Sequence, residues 1–258
     1  MPHNLQNRKP MDRRERFLSE MAENILMPYE AGETYEEEIV GEFENQFEAE
    51  YFERFFALLG KEGLILDLAC GDGRHTLKLS ERANHVMALD LSPNNLKMAK
   101  KKCQARGNIT FIEGSMFNLP FRENTFDGIW FSQAFEYVPP EKRERLLNSL
   151  YSILKPSGVL YMSVETWMYP SLLTSLKELL RVLRLYLYWK FLKGKPLMWG
   201  EYLYYLSPEV AQVSCSCWHY HVHTDKWTLC KLLARCGFAI EKMDLYDGYI
   251  YVLCRKAR

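Results

Sequence analysis

Residues 66–73 read Leu66-Asp67-Leu68-Ala69-Cys70-Gly71-Asp72-Gly73. The apolar run Leu64–Ala69 has the length of a buried strand, and residues 74–82 read as a helix. A glycine-rich turn between a first strand and its helix brings backbone N–H groups up to a ligand at the helix N-terminus. Gly71 and Gly73 permit that approach because they lack Cβ. Dinucleotide sites use G-x-G-x-x-G, but residue 76 here is Thr. The Lys-Ser/Thr pair of a phosphate-binding P-loop is also missing. Two carboxylates, Asp67 and Asp72, repel phosphate and attract a cation.

Working outward, short apolar runs alternate with helical segments. Val86–Asp90 is a second strand, and Ser92-Pro93 supplies an N-cap and a first-turn proline for a helix to about residue 106. Ile109–Glu113 and Phe126–Phe131 read as strands three and four. Pro140–Leu154 is a helix stopped by Lys155-Pro156-Ser157-Gly158, and Val159–Val164 is strand five. This alternation implies right-handed crossovers and a parallel sheet covered on both faces. Thr224-Asp225 opens a last helix that ends at Gly237. Phe238–Asp244 and Tyr249–Cys254, joined by Asp247-Gly248, then form an antiparallel closing pair.

The motifs match a known family in order along residues 64–165 and again along 224–256. The Asp67-x-x-x-Gly71-x-Gly73 turn resembles the first motif of class I S-adenosylmethionine-dependent methyltransferases. Their cofactor carries a sulfonium and an ammonium and no phosphate. Asp90, which lies 17 residues after Gly73, matches the acidic residue that holds both ribose hydroxyls in that family, with Leu91 beside it. Residues 113–121 resemble the segment that meets the adenine. Ser115 stands there at the usual acidic position, and Met116 follows it. Residues 126–131 resemble the fourth strand, whose end, Phe131, lies beside the methionine part of the cofactor. The implied cofactor set is therefore Asp67, Ala69, Gly71, Gly73, Asp90, Leu91, Ser115, Met116 and Phe131. The implied fold is α/β, a Rossmann-like seven-stranded methyltransferase sheet of order 3-2-1-4-5-7-6 with the last strand antiparallel, helices on both faces and a cap insertion. The implied reaction is methyl transfer from S-adenosyl-L-methionine, leaving S-adenosyl-L-homocysteine. An in-line displacement from a sulfonium leaves the enzyme to position the partners and exclude water. A general base is needed where the acceptor must lose a proton.

Three regions are expected: an N-terminal helical lid (1–60), the cofactor domain (61–165 and 224–258) and a cap for the acceptor (166–223). Residues 1–20 read as a polar leader without the apolar core of a secretory signal. Residues 33–59 carry Phe43, Phe47, Tyr51, Phe52, Phe55 and Phe56 at helical steps among nine glutamates. That stripe reads as a helix packed on the core, or as a lid over the cofactor. In the cap, residues 171–193 predict a helix of about six turns. Leu172, Leu173, Leu176, Leu179, Leu180, Leu183 and Leu187 make its apolar face, and Lys177, Arg181, Arg184 and Tyr188 its polar stripe. It reads as a helix packed by its leucines or, more sharply, as a membrane-surface helix or hydrophobic lid for a lipophilic acceptor. A third reading sets its basic stripe on RNA phosphates.

Cys215, Cys217, His219, His221 and His223 fall on alternate residues, so a strand would point all five to one face. Neighbours about 7 Å apart are too far to share one tetrahedral ion, so no metal is assigned. His219, His221 and His223 are the candidates for substrate contact or proton removal. No Asn/Asp-Pro-Pro-Tyr follows strand four, and no catalytic cysteine pair ends a strand, which argues against DNA amino- and cytosine C5-methyltransferases.

Lys plus Arg equals Asp plus Glu at 33 each among 258 residues, so the basic excess of a nucleic-acid binder is absent. Seven scattered cysteines read as reduced thiols in a cytoplasmic protein. The expected function is methyl transfer to a small acceptor, lipophilic if the cap helix serves it. The alternatives are a tRNA wobble-uridine-type methyltransferase, which Tyr220-His221-Val222-His223 resembles, and a methyltransferase-like module that binds cofactor without catalysis.

Overall fold

A computed structural model describes residues 11–31, 46–60, 63–206 and 217–257. Helix α1 spans Arg13–Ala31 and α2 spans Gln46–Leu59. The alternating core follows as β1 (Leu64–Leu68), α3 (Arg74–Leu79), β2 (His85–Asp90), α4 (Pro93–Lys102), β3 (Ile109–Glu113) and β4 (Phe126–Ser132). A 3-10 turn, Phe135–Tyr137, leads into α5 (Pro140–Ile153) and β5 (Leu154–Glu165). The cap holds α6 (Leu172–Leu187), a π turn (Tyr188–Leu192), β6 (Glu201–Leu206) and β7 (Cys217–Val222). Helix α7 (Lys226–Arg235), β8 (Phe238–Tyr246) and β9 (Tyr249–Lys256) close the chain.

The sheet order is β3-β2-β1-β4-β5-β9-β8. In the sheet's own count this is 3-2-1-4-5-7-6, as the resemblance implies. The first five strands are parallel, and β9 pairs antiparallel with both β5 and β8. Asp247 and Gly248, both at positive φ, make the tight turn of the closing hairpin. The expected caps form: the Asn95 N–H donates to Ser92 Oγ at 3.2 Å, and the Thr228 N–H to Asp225 Oδ1 at 2.9 Å.

One sheet face packs on α5 and α7 through Leu146, Leu147, Leu150, Leu229 and Leu233. The other packs on α2 through Tyr51, Phe55 and Phe56, which meet Trp130, Tyr161 and Tyr251. Tyr51, Phe55 and Phe56 of the α2 stripe are therefore core, each contributing roughly 1.5–3 kcal/mol of burial. Phe43 and its neighbouring glutamates, residues 36–44, lie outside the described residues.

Two expectations change. The polar leader is in part a helix: Phe17 and Met21 of α1 are buried against Trp189, Leu197, Leu203, Tyr220 and Val222 of the cap. Its charges serve that docking, because Arg14 bonds Glu141 at 2.9 Å and also Glu201, which is fully buried. The helix thereby runs from β7 across to α4.

The second change concerns the cap helix. Ser175, Val182 and Trp189 face inward, while Leu172, Leu173, Leu176, Leu180 and Leu187 are exposed. The leucine face is not the one that packs on the domain. Trp189 Nε1 bonds the Leu203 carbonyl at 3.0 Å and fixes this orientation.

Candidate active site

The parallel register brings the C-terminal ends of four strands together: Asp67 lies opposite Ala88 and Trp130, Asp90 opposite Glu113, and Ser132 opposite Ser163. In an open α/β sheet this edge is where ligands bind. The 66–73 turn sits there with Ala69, Gly71 and Gly73 all at positive φ, of 57°, 54° and 83°. A Cβ on Gly73 would lie 2.8 Å from Ala99 Cβ, so glycine is needed for conformation and for space.

The acids in and beside this turn do different work. Asp67 is buried and accepts a 2.5 Å bond from Thr76 Oγ1. Thr76 stands at the missing third glycine and ties the turn to β1. Burial raises Asp67 to about 6 despite His75 and that hydroxyl bond. Asp72 is paired with Lys102, so its charge is met within the protein. Asp90 accepts from the Gly71 N–H and the Ser92 N–H, both at 2.9 Å. Burial raises its pKa, and these N–H bonds oppose the rise. With Asp72 paired to Lys102, the negative edge is concentrated in Asp90 and Asp67.

Leu91, beside Asp90, is 47% exposed. Ser115 turns its hydroxyl to the Phe117 N–H at 3.2 Å, which organises the bend after β3. Met116 packs on the core, and Phe131 is fully buried. Phe131 thus shapes the end of β4 from below.

Sequence reasoning passed over three residues here. Arg74 follows Gly73 and is largely buried, and its Nη1 has no hydrogen-bond partner among the described residues, though Glu48 lies 3.8 Å away. Glu48 of α2 also meets His75 at 3.0 Å and Ser132 Oγ at 3.0 Å. Burial works against its charge, but His75 and Arg74 hold it at about 2. An orphaned guanidinium N–H is a donor waiting for a carboxylate. Only the tertiary fold brings α2 to this edge, so no local signal marks Glu48.

The histidines come from the β6–β7 hairpin. Tyr202 pairs with His221 and Tyr204 with His219, so these four side chains share one face. The opposite face offers Leu203, Tyr220 and Val222 to α1 and Trp189. The polar face meets Glu165, the last residue of β5. His221 Nδ1 is 2.5 Å from Glu165 Oε2, and His223 Nε2 is 3.1 Å from Oε1. Tyr202 Oη is 2.9 Å from His223 Nε2, and Tyr204 Oη is 3.3 Å from His221 Nε2. Glu136 lies in the 3-10 turn after β4. It is buried, and its Oε2 has no hydrogen-bond partner among the described residues. Both ring nitrogens of buried His219 are also without one.

These environments separate the titrations. Burial opposes charge on Glu165, but His221 and His223 outweigh it and hold its pKa far below the usual carboxylate range. Burial likewise opposes charge on His221, and the Glu165 carboxylate reverses that, raising its pKa. Burial takes His219 down to about 4 and Glu136 up to about 7. Cys215 lies outside the described residues, and no group of three or more metal-ligating side chains forms among those described.

Residues 65–158 match the family described as Methyltransferase domain. The ubiquinone/menaquinone biosynthesis C-methyltransferase UbiE of Wigglesworthia glossinidia brevipalpis is 36% identical over 102 residues, which are 37% of this chain and 40% of that protein. A demethylmenaquinone methyltransferase of Lactococcus lactis is 36% identical over 99 residues, 36% of this chain and 38% of that protein. The chain thus matches about two fifths of the length of these curated relatives. The 1,6-didemethyltoxoflavin-N1-methyltransferase of Burkholderia thailandensis was solved with 1,6-didemethyltoxoflavin and S-adenosylhomocysteine bound. It has the same fold at a TM-score of 0.64 and 17% identity, covering 100% of this chain and 99% of that one.

Proposed function

We propose that this chain, whose residues 65–158 match a methyltransferase domain, transfers a methyl group from S-adenosylmethionine to a small lipophilic acceptor in the cytoplasm. The observation that carries the reading is the turn at the edge of β1. Its three left-handed residues leave backbone room, and Asp90 stands beside it. The cofactor, when bound, supplies a methyl group already activated on sulfur. Asp90 would accept from the ribose hydroxyls, and Leu91, Ser115 and Met116 would border the adenine. Asp67 and Ala69 would support the turn, and Phe131 would floor the methionine side. The unpartnered Nη1 of Arg74 fits an α-carboxylate, the one anionic group of this cofactor. His219, His221 and His223 face the acceptor across the ends of β4 and β5.

Calorimetry with S-adenosylmethionine and S-adenosylhomocysteine tests the reading. Binding to both is expected, and Asp90→Ala should lose roughly 1.5–3 kcal/mol per charged hydrogen bond removed. No binding to either at high micromolar concentration overturns it. Methyl-labelled cofactor offered to lipid extracts, small metabolites and tRNA separates an enzyme from a binding module: label is expected in a non-RNA fraction, and none in any fraction supports the module.

The lipophilic class rests on α6. Leu172 is 88% exposed, and Phe191 and Leu192 in the following π turn are 69% and 77% exposed. Exposed Lys177, Arg184 and Lys193 lie on the same segment. Apolar side chains flanked by cations suit an anionic bilayer surface, where the leucines enter the interface and the cations meet headgroups. No helix among the described residues is long and apolar enough to cross a membrane, so the contact would be peripheral. Flotation with phosphatidylglycerol vesicles should carry the protein, and Leu172→Ser with Leu176→Ser should abolish it. Flotation unchanged in that variant removes α6 from the contact.

A further inference from the structure

We infer that Glu165 and His221 form a carboxylate–imidazole base that takes the proton of an acidic acceptor hydroxyl, and that Glu136 and His219 bind the acceptor's polar edge. The inference rests on the methyl-transfer reading above and narrows its substrate class to acceptors with a dissociable O–H.

The three candidate histidines are not equivalent. His221 places Nδ1 on the Glu165 carboxylate, so Nδ1 carries the proton and donates it. Its Nε2 is then the basic atom, and among the described residues it meets the Tyr204 hydroxyl at a long 3.3 Å. Displacing that hydroxyl would let an acceptor O–H reach Nε2. His223 points Nε2 at Glu165 and at Tyr202, so it steadies the carboxylate, while its buried Nδ1 has no hydrogen-bond partner among the described residues. Among the described residues His219 makes no ion pair, and both its nitrogens are without a hydrogen-bond partner in a buried setting. Such a ring stays neutral and can bond a neutral ligand group.

Glu136 completes the arrangement. A buried carboxyl with an unpartnered oxygen costs free energy unless something meets it. Burial, with the Glu165 charge nearby, raises the Glu136 pKa to about 7, so a large share of it is protonated at neutral pH and can donate. Other groups around His221 are Tyr137, whose ring lies 4.8 Å away edge-to-face, Tyr202, and Arg181, which stands over the Tyr202 ring. Aromatic walls with one donor and one base fit a flat ring bearing a hydroxyl. An imidazole base is effective for hydroxyls whose acidity approaches its own, as in phenols and enols, and ineffective for simple alcohols.

The acceptor O–H breaks and its proton goes to His221 Nε2. A carbon–oxygen bond (or, for an enolised ring, a carbon–carbon bond) forms to the methyl. The carbon–sulfur bond breaks with its electron pair left on sulfur, and His221 returns its proton to water.

The test uses 4-nitrophenol, whose absorbance reports its ionisation, with the full-length protein saturated with S-adenosylhomocysteine. The expected result is phenolate formed on the protein at a pH where free 4-nitrophenol is largely neutral. His221→Gln should abolish that signal, and Glu165→Gln should reduce it at least tenfold. The imidazole resonances of His221 should also titrate at least one pH unit lower in Glu165→Gln. Glu136→Gln keeps a donor, so it should still bind the probe, whereas Glu136→Leu should not. S-adenosylhomocysteine affinity should be unchanged in all four variants. Normal S-adenosylhomocysteine binding with no phenolate in the wild type, or phenolate that survives His221→Gln, overturns the inference alone. Loss of S-adenosylhomocysteine binding by the wild type overturns the methyltransferase reading instead.

Discussion

The turn after β1 and the β6–β7 hairpin meet the same edge of the sheet, and they are built by opposite rules. The turn works with backbone: Ala69, Gly71 and Gly73 adopt left-handed φ, and Asp90 is held by two N–H groups. The hairpin works with side chains: two tyrosines and two histidines on one face converge on Glu165, which comes from another strand. A cradle made of backbone can serve one constant ligand. A wall made of side chains can be rewritten for each acceptor without disturbing the cradle.

The largest effect should come from breaking the cradle. Gly73→Val imposes a side chain at φ 83° and drives Cβ to within 2.9 Å of the Ala99 backbone. Strain and overpacking together predict a loss of about 4 kcal/mol. Urea unfolding should show it, and S-adenosylhomocysteine should not restore the stability. A Gly73→Val protein of native stability would mean that the turn relaxes freely and is not a fixed cradle.

The next effect belongs to the wall. Arg14→Leu strips Glu201 of its cation while leaving the carboxylate fully buried, although the Met198 N–H and Tyr220 Oη still bond it. Removing one partner of such a pair costs about 3 kcal/mol. Hydrogen exchange should rise along β6 and β7 and stay unchanged along β1 and β2. Equal rises in both would show that cap and core unfold as one unit.

These two variants also mark what could be read from the sequence. The strand order, Ser92, Asp225 and the turn motif were legible because each depends on residues within a few positions of one another. The histidine face was legible as a face, because alternation is local. Glu165 and Glu136 were not legible as its partners, since β5 and the turn after β4 reach β7 only through the sheet. The seven leucines of the cap helix were visible as a stripe, but periodicity cannot say whether a stripe faces inward. Small Ser175 and Val182 turned out to mark the packed face, which an apolar count passes over. The same limit hid where α1 packs, because its charged start reads as a leader until Arg14 meets Glu201.

The two carboxyls beside the β6–β7 hairpin should separate by pH. Glu165 is depressed, so its stabilising contribution is present above the ordinary carboxylate pKa and is lost only as pH falls through its low folded value. Glu136 is raised to about 7, so its contribution is present below the ordinary carboxylate pKa and is lost as pH rises from there to about 7. Wild-type stability should therefore fall across that window by a few kcal/mol at most. Glu136→Gln removes the titrating proton and should flatten the slope, leaving the variant more stable than wild type at pH 8. An unchanged slope would place the titration elsewhere.

The smallest effect divides the two faces of α6. Val182 is fully buried and Leu180 is 55% exposed, although leucine is the larger and more apolar side chain. If orientation decides, Val182→Ala should cost roughly 1–3 kcal/mol through lost burial and a cavity. Leu180→Ala should stay within about 0.5 kcal/mol, because its side chain is mostly exposed. Thermal unfolding of the two variants in the absence of lipid gives the comparison directly. The reverse order would mean that the leucine face is buried in the folded protein. The exposed apolar surface would then vanish, and with it the reason for a peripheral membrane contact at the cap.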